Sequence, residues 1–189
     1  MVNQKYISSL LLGVALTVSH VAFADPLNGA RVGAQAGLVS VNGLGSTLGV
    51  GGYSEIEILD GLSIRPGLDY WQKTTSANLG FADVDSTVSD LAIGGALKYA
   101  FRLSDSALQP YVLGGLSIHR INAEVNSHSD VYEGVSVRNE ASEFKLGFSL
   151  GGGLAYPIST DLHITGEFMM HNVETADHLS FMSGLSYPL

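Results

Sequence analysis

The 189-residue sequence contains no cysteine. That absence excludes disulfide staples, thiolate metal sites, a cysteine nucleophile and a lipid-modified N-terminal cysteine. Bases are scarce too, with nine Lys and Arg against 18 Asp and Glu. So acidic a chain lacks the basic footprint that nucleic-acid binding requires, and no nucleic-acid partner is expected. Beyond the N-terminal two dozen residues no run approaches the ~20 apolar residues of a spanning helix. Yet 46% of the residues are hydrophobic. Apolar residues that are abundant but seldom consecutive are spread by alternation, which is the pattern of strands.

The N-terminus is set apart from the rest. Lys5, an apolar run from Ile7 through Val18 to Phe23, and Ala22-Phe23-Ala24 before Asp25 follow the basic, apolar, small-x-small order of a secretory signal peptide. A single membrane-anchoring helix fits less well, because the run is short and has no basic stop-transfer flank. Residues 1–24 are therefore expected to be removed. Residues 25–189 then form one domain with eight bases and 18 acids, a net charge of −10.

Eight segments alternate with a period of two, at about 31–41, 47–59, 62–73, 88–101, 108–121, 143–157, 161–171 and 178–189. The sixth is the clearest, setting Phe144, Leu146, Phe148, Leu150, Leu154 and Tyr156 against Glu143, Lys145, Gly147, Ser149 and Gly151. Asp60-Gly61 supplies a tight turn between the second and third. Polar stretches at 74–86 and 122–141 read as long connections, and odd connections are on average longer than even ones. The 23 glycines fall repeatedly inside the alternating segments, which points to tight curvature and closely layered side chains. The less apolar face is mostly Gly, Ala and Ser with occasional charges, which suits a crowded interior. A soluble lipocalin-like barrel would carry Lys, Glu and Thr there. The expected fold is all-β, an eight-stranded antiparallel up-and-down transmembrane β-barrel. Leu91, Ile93, Leu97, Phe144, Leu146, Phe148, Leu150 and Leu154 are its expected lipid-facing residues.

The closing segment H-L-S-F-M-S-G-L-S-Y-P-L carries Phe181, Leu185, Tyr187 and Leu189 on one face, with an aromatic two positions before the last residue. Together with the leader, the eight segments and the short–long connections, it resembles the small outer-membrane β-barrel proteins of the OmpA-domain, OmpX and opacity-protein type. One departure is that such strands most often finish on Phe, and this one finishes on Leu189. The resemblance implies localisation in the outer membrane and contact with its lipid and lipopolysaccharide. It also implies that Phe181, Leu185, Tyr187 and Leu189 act as the signal to the barrel-assembly machinery. A monomer is expected.

The inward positions include Glu55, Glu57, Arg65, Asp69, Asp90, Lys98, Glu143, Lys145 and Glu167, with His163. An eight-stranded lumen is just wide enough to be filled by side chains, so these charges are expected to pair across it, Arg65, Lys98 and Lys145 bridging the acids. Such a plugged barrel is not an open pore, although a small-solute channel is an alternative. His178-x-Ser180 invites comparison with outer-membrane lipid A deacylases, which carry a similar His-x-Ser in a late strand. Leu179 and Phe181 take the outward face, however, turning His178 and Ser180 away from lipid, and Phe181-Met182 replaces the Asn-Ala of that family. No catalytic role, cofactor or metal is expected. Asn126, His128 and Asp130 alternate as the polar residues of any exposed loop do. The expected role is structural or surface-interacting, with the acidic segments 74–86 and 122–141 as the surface for any extracellular partner.

Overall fold

The computed structural model describes residues 30–78, 82–104, 106–129, 136–174 and 176–189. Residues 1–24, the expected leader, and Asp130 lie outside them, as does the side chain of His128. Eight strands follow one another: β1 (Ala30–Val41), β2 (Gly45–Leu59), β3 (Leu62–Asn78), β4 (Ala82–Ala100), β5 (Gln109–Ser129), β6 (Ser136–Pro157), β7 (His163–Val173) and β8 (His178–Pro188). Each pairs antiparallel with its neighbour in sequence. β8 then pairs with β1 from Val41 opposite His178 to Arg31 opposite Pro188, closing the ring. Closure removes both sheet edges over this height, so the backbone is fully paired without disulfides.

Alternation sets the two faces. On β8, His178, Ser180, Met182, Gly184 and Ser186 are buried while Leu179, Phe181, Leu185 and Tyr187 are exposed. Ile93, Leu97, Phe144, Leu146, Phe148, Leu150 and Leu154 are all exposed, and Leu91 is half-buried on the same outer face. A soluble protein would not leave Leu146 77% and Phe144 72% exposed. On β6 this apolar face runs from Phe144 to Tyr156, broken only by Gly152. That is about 40 Å of strand, or about 30 Å of height at a ~40° tilt, the thickness of a bilayer's hydrocarbon core. Tyr99 and Phe101 meet edge to face at 5.1 Å at the periplasmic end of the belt, where aromatic girdles form.

The stretches 74–86 and 122–141 are not simply loops. β3 and β4 stay paired as far as Asn78 opposite Asp83, and β5 and β6 as far as His128 opposite Ser136. Above the bilayer both faces of a strand meet water, so the hydrophobic alternation that marks the membrane part disappears while the backbone ladder continues.

Candidate functional site

The periplasmic half of the lumen is filled by charge. Arg65 on β3 forms an ion pair with Glu167 on β7, donates from Nη2 to Gln35 Oε1 at 3.0 Å, and lies 3.6 Å over the Tyr53 ring. Tyr111 O–H donates to Glu167 at 3.1 Å. Lys98 Nζ donates to both carboxylate oxygens of Glu55, at 2.9 and 2.8 Å, and sits 4.5 Å from the centre of the Tyr111 ring. Asp69 accepts from Gln35 Nε2 at 3.0 Å. Glutamine thus links the carboxylate of Asp69 to the guanidinium of Arg65.

Three of the charges expected inside lie at the rims instead. Glu57 pairs with Arg102 at 3.6 Å beside the exposed periplasmic turn. Lys145 reaches Glu143 at 3.3 Å and Glu174 at 3.5 Å at the outer mouth. The cause is geometric: β6 first meets β7 at Gly147, so position 145 stands above the closed ring, where water reaches it. His163 is half-buried near the periplasmic end.

The outer half of the lumen holds a cluster that alternation alone does not disclose. His171 and His178 are direct cross-strand partners on β7 and β8, and His119 on β5 joins them across the lumen. His171 stacks on His178 at 4.3 Å with the planes 10° apart, and His178 meets His119 and Trp71 edge-on at 6.0 and 5.9 Å. His119 Nδ1 is 2.7 Å from Asp90 Oδ2 and its Nε2 is 2.8 Å from Ser117 Oγ. Val39, Val41 and Trp71 pack together at the same level. Between the two polar layers lies a chamber of about 90 Å³.

Asp90, His119 and Ser117 have the connectivity of an orienting acid, a base and a hydroxyl. Hydrolysis also needs donors for an oxyanion, and the strand around Ser117 is paired on both sides, to Gly94 and to Gly147. The other combination fares no better. Ser180 Oγ is 3.1 Å from His171 Nε2, His178 Nδ1–H donates to the Ala176 carbonyl at 2.9 Å, and both side chains face the lumen.

A closed ring of eight strands, an apolar outer belt and a charged lumen identify the architecture, and the sequence matches the outer membrane protein beta-barrel domain over residues 8–187. The chain belongs to that family. Neisserial surface protein A is a similar solved structure at 15% identity, covering 85% of this chain and 97% of that one with a TM-score of 0.65. A major outer membrane protein from Thermus thermophilus is 13% identical, over 84% of this chain and 98% of that one, at a TM-score of 0.59. No curated protein matches the sequence. As a member of this family the protein resides in the outer membrane.

Within this outer-membrane barrel the strands differ in height. β2 pairs with β3 only as far as Gly49 opposite Trp71, whereas β3 continues to Asn78. β6 begins at Ser136, well before its first partner on β7. β3 to β6 therefore project above the bilayer as a four-stranded sheet whose two outer edges are paired to no other strand among the described residues. Thr74 to Ala77 on one edge and Asn139 to Ser142 on the other are exposed.

Proposed function

We propose that the protein is a closed outer-membrane scaffold that binds an extracellular partner through its projecting sheet. The observation that carries this reading is the unequal strand height. β1, β2, β7 and β8 stop at the mouth, and only β3 to β6 are carried outward. An edge strand offers a row of main-chain donors and acceptors, a template for an extended segment of another protein. Acidic residues on these strands, among them Asp85, Glu124, Glu140 and Glu143, favour a basic segment and steer it by charge. A catalytic role is not part of this proposal, because neither His–Ser arrangement faces lipid or is served by a free backbone donor.

The test is to shorten both hairpins, replacing residues 74–87 and 123–141 by short turns, and to measure adherence of expressing cells to matrix-coated surfaces. Heat-modifiable gel mobility reports that the barrel still folds. Cells carrying the shortened barrel are expected to lose the adherence that the full protein confers. Unchanged adherence, or no adherence conferred by the full protein, contradicts the proposal.

A further inference from the structure

Gly33 and Gly147 face the lumen and lie under large side chains, Tyr53 and His119. Gly52 has no such reason to be small. It faces outward on β2, and a Cβ there would meet nothing nearer than the Gly33 carbonyl oxygen at 3.7 Å. A glycine inside a strand weakens the sheet, and this one serves no packing within the chain. It lies in a cross-strand row that runs Leu185, Ala34, Gly52, Leu68 and Ile93 from β8 through β1 to β4. Large side chains at the ends and small ones between them leave a trough in the lipid-facing wall. The Val50–Tyr70 pair bounds it on the outer side and the Val32–Tyr187 pair on the periplasmic side, and its volume is about 610 Å³.

We propose that this trough is a binding site for one acyl chain of a phospholipid in the periplasmic leaflet. The trough is continuous with the apolar belt, so hydrocarbon enters it directly from the bilayer. Its course fits a single leaflet. Leu185 stands three residues from the periplasmic end of β8, and Ile93 seven from that of β4, so the row climbs away from the periplasm. Four strand spacings of ~4.8 Å span ~19 Å, and at a ~40° tilt the rise is ~12 Å. Half of a ~30 Å hydrocarbon core is only slightly more. A chain that enters beside Tyr187, at the level where tyrosines meet headgroups, therefore ends near Ile93 close to the midplane.

The walls suit hydrocarbon. Val50, Leu68, Ile93 and Leu185 present only apolar atoms, and the Tyr70 hydroxyl already donates to Gln72 at 2.8 Å, which leaves its ring to face the trough. Left empty, these side chains would forfeit dispersion contacts on one side. An acyl chain in the trough touches protein below and on both flanks, whereas one against the convex barrel touches it on a single side. The added contacts hold this lipid longer than its neighbours.

The test is native mass spectrometry of the barrel released from nanodiscs of palmitoyl-oleoyl phosphatidylethanolamine. The expected result is a monomer that retains one phospholipid, and that loses it in Gly52→Leu, whose side chain fills the floor of the trough. Gly114→Leu, at an outward glycine on β5 away from the trough, should keep the lipid. A native barrel that carries no phospholipid overturns the proposal. So does equal retention in Gly52→Leu and Gly114→Leu, because the lipid then binds elsewhere. A native dimer that Gly52→Leu dissociates overturns it too, by making a second copy of the chain the occupant. Heat-modifiable gel mobility reports folding, and if Gly52→Leu does not fold, Ala34→Leu fills the same floor in its place.

Discussion

Large inward side chains in this barrel lie against glycines on neighbouring strands. Tyr53 covers Gly33, Asp69 covers Gly51, Tyr111 covers Gly153 and His119 covers Gly147. A Cβ at Gly147 would stand 2.7 Å from His119 Nε2 and 2.9 Å from Val173 Cγ2, whereas one at lipid-facing Gly114 has no neighbour nearer than 3.8 Å. Gly147→Val is therefore expected to cost about 1–3 kcal/mol by overpacking, and Gly114→Ala to stay within about 0.5 kcal/mol. Urea unfolding in lipid vesicles, followed by Trp71 fluorescence, measures both. Arg65 gives a second residue-scale prediction. Arg65→Met strands the buried Glu167 carboxylate and should cost about 3–5 kcal/mol, and adding Glu167→Met should recover most of the loss. Equal instability of the single and double variants in the same assay would contradict this. At this scale alternation is enough to turn Arg65, Asp90, Lys98 and Glu167 inward. It could not disclose which charges meet, because pairing across a lumen depends on closure and shear. The place of His119 in the histidine layer was hidden for that reason: it sits on β5, and nothing in its local sequence says that it meets His171 and His178 of the β7–β8 hairpin across the lumen.

For each strand, the legible part is the part in the bilayer. Between Phe144 and Tyr156 one face of β6 meets lipid and the other meets the lumen, so the sequence must alternate and the element can be read directly. The Asp60-Gly61 turn was equally readable, since Gly61 takes a φ of 73°, which glycine adopts without strain. Thr74 to Asn78 and Asn122 to Asn126 obey no such constraint. Both of their faces are solvated, polar residues suit each, and the strand persists only because its neighbour offers a ladder. The belt itself is testable. Phe148→Arg or Ile93→Arg places a charge on the lipid face and should cost about 2–4 kcal/mol if the site lies near the midplane. The control is Ser142→Arg, on the same face of β6 above the belt, which should cost at most about 1 kcal/mol. Equal effects at positions 148 and 142 in the vesicle unfolding assay would remove the basis for placing the bilayer between Phe144 and Tyr156.

In the whole molecule, height and filling divide the labour. The ring is anchored by its belt, its lumen is occupied by Arg65–Glu167, Lys98–Glu55 and the His119–Asp90 layer, and only β3 to β6 reach outward. Eight strands leave too little space for a solvated ion to pass side chains that bond one another across the barrel. Transport through the lumen and binding on the sheet are thus opposed accounts of the same architecture, and conductance separates them. The protein, reconstituted in planar lipid bilayers and verified as folded by heat-modifiable mobility, is expected to give no stable conductance above the bare bilayer. Large, steady single-channel openings would contradict the sealed scaffold and make passage of small solutes the primary function.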